Sequence, residues 1–203
     1  MSWILRVGTA VVPLFAAMLV PLIWLDLQGY MSQPTVEMWA RAIIQIEGPQ
    51  SFRSTEAFYP PLPYAMALVL HLAMPASTVP IPLLISATVA AVLLYAWFWN
   101  LRERGAFGAL SALLIVTLLT LNPLFFRALA DGPSTMFLLL GFWIYARGLL
   151  NLRLNGAAPD MMKVAVGLLI MPLSHGYGIL LAIGTLPFIV IAARPSMLAT
   201  SSV

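Results

Sequence analysis

From Ile81 to Trp99 the chain carries no charged side chain, and the run closes on an aromatic cluster of Tyr95, Trp97 and Trp99. About 20 apolar residues is what an α-helix needs to cross the hydrocarbon core of a bilayer, roughly 30 Å thick. Aromatic rings at the end of such a run suit the membrane–water interface. Apolar runs recur at Val7–Leu27, which carries Asp26, at Phe107–Leu124, and at Thr135–Leu150, which carries Arg147, with shorter ones at Leu62–Met74, Met162–Leu173 and Gly178–Ala193. Overall, 62% of residues are hydrophobic and 8% charged, with a mean hydropathy of +0.97. A soluble domain carries about 25% charged residues, so these apolar surfaces must face lipid. The expected fold is all-α: one polytopic membrane domain over residues 1–203, with the lipid bilayer as its first partner.

The run Val7–Leu27 exceeds the roughly 7–15 residues of a signal-peptide core, and no small-x-small cleavage site follows it. It reads as a retained span, with kinks expected at Pro13 and Pro21. Residues 28–60 form the one long polar stretch. Within it Val36, Trp39, Ala40, Ile43, Ile44 and Ile46 share a broad face at helical spacing, and Glu37, Arg41 and Gln45 follow i, i+4 on another. That pattern predicts an external amphipathic helix lying on the membrane, ended by Gly48-Pro49. Pro75–Pro80 breaks the chain again, Arg102-Glu103-Arg104 reads as a tight charged turn, Phe125–Asp131 as a short connection, and Asn151–Asp160 as a polar loop. Residues 195–203 read as a tail. If Leu62–Met74 crosses fully, Arg102, Arg104, Arg153 and Lys163 fall outside, against the positive-inside rule; if it does not, they fall inside. The helix total is therefore six or seven.

The chain has no cysteine, which excludes disulfides and thiolate chemistry, and its two histidines, 104 positions apart, argue against a multi-His metal site. No P-loop, HExxH, G-x-S-x-G or dinucleotide fingerprint is present. Ten basic against seven acidic residues are scattered, which suits membrane topology rather than a nucleic-acid patch. Ionisable groups near lipid are costly and therefore informative. Asp26 sits at the outer end of the first span, either as an interfacial charge or as a general base or ligand. Glu37 has Arg41 at i+4, the spacing of an ordinary helical pair. Arg127 and Asp131 share that spacing between two apolar runs, as a neutralising clasp or, through the guanidinium, a phosphate site. His175 lies between two apolar half-spans, flanked by Ser174 and Gly176, and either bonds structurally or lines a cavity. His71 has no evident companion.

The order of these features resembles the N-terminal module of the GT-C superfamily, the membrane glycosyltransferases that use polyprenyl-phosphate sugars. A first span with an acidic end and a loop helix "VEMWARAI" leads to "FYPPLPYAMALVL". Then come "NPLFFRALADGPSTMFLLLGFWIYARG", with its R-x-x-x-D, and "VAVGLLIMPLSHGYGILLAI". The resemblance covers Leu5 to Arg194. It implies that Asp26 stands where a first-loop carboxylate acts as base or holds the acceptor, with Glu37 as a second carboxylate. Arg127 and Asp131 would lie by the donor, and His175 would replace a basic residue near the donor phosphate. No dedicated metal cage is visible, and a divalent cation is the one cofactor the resemblance leaves open. The implied location is the inner (cytoplasmic) membrane of a bacterium. Where the family carries an Asp-Glu pair before the loop helix, this chain has Ser32-Gln33, and family members run longer, so the chain corresponds to about half of such an enzyme.

Two functions of different class follow. One is glycosyl transfer from a polyprenyl-phosphate-linked sugar to an acceptor at the outer membrane face. The other is a non-catalytic GT-C-derived subunit that binds other membrane protein subunits through a surface rich in Trp and Phe. A small lipid or sugar flippase is a third reading, which the lack of an internal repeat disfavours.

Overall fold

The computed structural model describes residues 3–48, 60–103 and 108–199. Among these, nine α-helices follow one another and no strand occurs: α1 (Trp3–Leu27), α2 (Gln33–Glu47), α3 (Pro61–Ala73), α4 (Ile81–Glu103), α5 (Ala109–Thr120), α6 (Pro123–Asp131), α7 (Pro133–Asn155), α8 (Ala158–Ser174) and α9 (Gly176–Ala199). Three are long and apolar enough to cross a membrane: α1, α4 and α7. A fourth crossing is available if α5 and α6, which meet at 62°, form one broken span. That is fewer than the six or seven expected from sequence. α3 stops after 13 residues, and Pro123 starts a new helix axis after α5.

The boundaries follow from local chemistry. α1 contains Pro13 and Pro21 and ends in a paired-hydrogen-bond cap at Gly29, whose φ of 75° is the left-handed conformation glycine tolerates. There Tyr30 N–H donates to the Leu25 carbonyl at 2.9 Å and Gly29 N–H to that of Asp26 at 2.8 Å. α6, expected as a connection, is a helix because Asn122 caps it, accepting from Leu124 N–H at 2.9 Å, and Pro123 fills its first turn. Arg102 and Glu103 continue α4 rather than forming a turn, and Arg104 lies outside the described residues. The loop expected over Asn151–Asp160 shrinks to Gly156-Ala157: Gly156 takes φ 62° and its N–H closes α7 on Leu152 at 2.9 Å. α9 runs on through residues 195–199 of the expected tail.

The chain divides into two compact units. The first holds α1, α2, α4, α5, α6 and α3 from Tyr64 onward. α4 is its centre, with Ala87, Ala90, Ala91 and Leu93 fully buried, and α1 is its most extensive neighbour. Alanines let another backbone approach closely, the usual device where lipid removes the hydrophobic drive between helices. α2 is amphipathic, buries Thr35, Met38 and Ala42 against the protein, and leaves Val36 and Ile44 of its expected apolar face exposed. A second constraint sets this rotation. The hydroxyls of Ser32 and Thr35 both donate to the Asp131 carbonyl, at 2.6 and 2.9 Å, where α6 ends and no following turn supplies a donor. Gly132 beside it has φ 110°, and a Cβ there would come within 2.1 Å of Thr35 Oγ1.

The second unit holds α7 from Phe137 onward together with α8 and α9. Glycine sets its spacing. A Cβ on Gly167 of α8 would lie 2.6 Å from the Tyr145 backbone nitrogen and 2.7 Å from the Gly141 carbonyl of α7. Tyr145, 2% exposed, passes its hydroxyl to the Thr185 carbonyl of α9 at 2.6 Å, joining the outer two helices of the unit. The α8–α9 elbow is equally close, since a Cβ on Gly178 would overlap the Met171 carbonyl.

Two substitutions test these contacts. Gly132→Ala combines a left-handed backbone with a clash on Thr35 and is expected to cost about 1–3 kcal/mol, read as a lower thermal midpoint of the purified chain. Gly167→Ala meets backbone on the facing helix, which cannot move aside as a flexible side chain can. It is expected to destabilise by about 1–3 kcal/mol, while Gly184→Ala, with open space at its Cβ, changes little.

Candidate functional site

The two hydroxyls on the Asp131 carbonyl do more than fix α2. They fasten the α1–α2 turn to the α6–α7 break, so that the C-terminus of α1, the N-terminus of α2 and the C-terminus of α6 share one end of the first unit. This end carries Asp26 and Asp131, with Glu37 and Arg127 each within about two helical turns of it. Asp26 is half-buried and its carboxylate makes no hydrogen bond or ion pair with a described residue. Asp131 is half-buried too, and only its carbonyl is engaged. Both carboxylates sit at helix C-termini, where the backbone carbonyls point at them and the helix dipole opposes negative charge by about 0.3–1 kcal/mol. The fold gains nothing from that placement.

The clasp expected between Arg127 and Asp131 is not formed: the two side chains make no ion pair, and Arg127 is exposed. Asp131 is used through its backbone instead. Glu37 forms the i, i+4 pair with Arg41 at 2.9 Å on the exposed side of α2, with both side chains about half exposed, a contact worth at most a few tenths of a kcal/mol. His175 belongs to the second unit and caps α8. Its backbone is extended, its N–H donates to Met171 at 3.3 Å, and its Nδ1 accepts from Tyr177 N–H at 3.1 Å. The two rings stack at 5.3 Å. This bonding fixes the imidazole's proton on Nε2 while the ring is neutral.

Two polar groupings lie outside the sequence reading. His71, which had no evident companion, is buried on α3 with Nε2 at 2.8 Å from Glu47 Oε1 at the end of α2, and its ring stands edge-on to Trp39 at 5.1 Å. No local spacing announces a pair drawn from two different helices. In the second unit Asp160, 5% exposed, binds Lys163 at 2.7 Å. That one had a readable signal: Ala158-Pro159-Asp160 is a helix start with proline and an acid in the first turn. Among the described residues no group of three His, Asp or Glu side chains is placed to hold a metal ion.

No family model matches the chain, and no similar protein was found among either curated proteins or solved structures.

The His71 contact yields a test. His71→Ala removes a buried ring together with its edge contact to Trp39 and is expected to lower stability by about 1–3 kcal/mol. Glu47→Ala, which removes the more exposed partner, is expected to cost under about 1 kcal/mol in the same thermal unfolding assay.

Proposed function

We propose that the chain is a GT-C-like membrane protein that transfers a glycosyl group from a polyprenyl-phosphate sugar to an acceptor at the outer membrane face. The observation that carries this reading is the junction made by Ser32 and Thr35 on the Asp131 carbonyl. It gathers the first-loop carboxylate and the R-x-x-x-D segment at one end of a single unit, with the Asp26 and Asp131 carboxylates unpaired among the described residues. In the reaction, the Asp26 carboxylate takes the proton from the acceptor hydroxyl as its oxygen attacks the anomeric carbon. The bond from that carbon to the phosphate oxygen breaks, and the electron pair leaves with the polyprenyl phosphate. The Arg127 guanidinium offsets the charge that develops there. Glu37 orients the acceptor and Asp131 borders the donor; His175 lies in the second unit, and no step is assigned to it. The described residues offer no cage for a divalent cation, so no step is routed through one. In this reading α3, α8 and α9 are the short membrane segments that complete six or seven helices, and the membrane is the inner (cytoplasmic) membrane of a bacterium.

A second reading, a non-catalytic subunit of a larger membrane complex, is favoured by the role of Ser32. Where the superfamily carries acids before the loop helix, this residue is a structural fastener. The apolar Val36 and Ile44 face outward on the same helix.

The experiment is purification of the full chain in nanodiscs with mass spectrometry of bound lipids and proteins, followed by a transfer assay. Glycosyl transfer predicts co-purified polyprenyl phosphate and an Asp26→Asn variant that folds normally but transfers at least about a hundredfold more slowly. A stoichiometric protein partner, retained in Asp26→Asn and accompanied by bulk phospholipid only, would establish the subunit instead.

A further inference from the structure

The second unit carries an open groove of about 350 Å³ between α7 and α9. Its floor is Tyr145, Thr185 and Ala192, all buried, and its walls are the exposed Phe142 and Leu150 of α7 with Phe188 and Ile191 of α9. Along α7 the lining runs from Phe142 to Arg153, about 16 Å at the helical rise. That is close to the depth of one leaflet of hydrocarbon, about 15 Å.

The polar inventory of the groove selects its occupant. The Tyr145 hydroxyl is spent on the Thr185 carbonyl at 2.6 Å, and the Thr185 hydroxyl on the Ala182 carbonyl at 3.0 Å. The floor therefore has no free donor and offers only the acceptor lone pairs of two buried hydroxyls, too few to replace the hydrogen bonds with water that a sugar or an extended peptide would lose there. Only one lining residue is charged. Arg153, in the last turn of α7, is exposed and makes no ion pair or hydrogen bond with a described residue. An apolar trough one leaflet deep, with a single unpaired guanidinium at its end, complements an amphiphile with one long chain and an anionic head. We propose that this groove is a binding site for an anionic phospholipid of the surrounding bilayer, its acyl chain along Tyr145 and Ala192 and its phosphate held by Arg153. The guanidinium fork matches phosphate oxygens two at a time. The groove is open along its length, so the occupant enters sideways from the leaflet, where phospholipid is the most abundant candidate. The inference does not depend on glycosyl transfer.

Native mass spectrometry of the full chain, with phosphatidylglycerol or phosphatidylcholine added in equal amounts, tests it. Wild type is expected to retain one phosphatidylglycerol about tenfold more strongly than phosphatidylcholine, as one charge-assisted contact allows. Arg153→Gln removes that preference and Arg153→Lys keeps most of it. Ala146→Phe, at an exposed lining position, fills the trough and lowers retention of both lipids. Equal retention by wild type, an undiminished preference in Arg153→Gln, or unchanged retention in Ala146→Phe each overturns the proposal. Retention of a polyprenyl phosphate or a protein chain in place of phosphatidylglycerol overturns it as well.

Discussion

A backbone carbonyl left without a donor in an apolar surrounding costs several kcal/mol, and every break in a helix creates such groups. The break between α6 and α7 depends on how that cost is met. Water is scarce beside residues as apolar as Leu129 and Met136, and Gly132 and Pro133 supply no donor to Asp131. Two hydroxyls from another helix do it instead. Because a carbonyl has two lone pairs, one oxygen suffices to seat the start of α2. The position of that helix, the exposure of its Val36 and Ile44, and the neighbourhood of Asp26 all follow from this seat.

The second unit meets the same constraint by different means. Gly141 and Gly167 bring α7 and α8 to backbone contact, and the buried Tyr145 spans to α9 with a hydrogen bond onto a main-chain oxygen. Dispersion between closely fitted backbones then replaces the hydrophobic drive that lipid takes away. One consequence is that the Tyr145 hydroxyl proton is spent, and this leaves the groove above it without a free donor.

Much of the fold was legible in the sequence because long apolar runs have few structural solutions. The starts of α1, α3, α4 and α7 fall within a few residues of the runs that predict them. Reading Phe125–Asp131 as a connection overlooks Asn122-Pro123, since an Asn cap before proline begins a helix. Which residues α2 buries against the protein is hidden for a different reason. Apolar periodicity says which side chains avoid water, but here a hydrogen bond to a residue 96 positions away decides the rotation. The same limit hid Glu47 and His71. Pairs within one helix, such as Glu37 with Arg41, follow from spacing, whereas Arg127 and Asp131 have the spacing without the contact.

The bend between α5 and α6 bears on how the chain enters a membrane during synthesis. Twelve residues of α5 reach only about 18 Å, less than the hydrocarbon thickness, and α6 is shorter still. Neither half is a complete insertion signal, so the pair has to partition into lipid as one folded-over unit. The N–H groups of Leu121 and Asn122 stay bonded through the bend, donating to the Thr117 and Leu119 carbonyls at 2.9 and 3.2 Å, so the bend can enter lipid without stripping those donors of a partner. Assembly of the first unit then follows synthesis: the alanine-rich α4 is made first, and the broken segment folds back onto it.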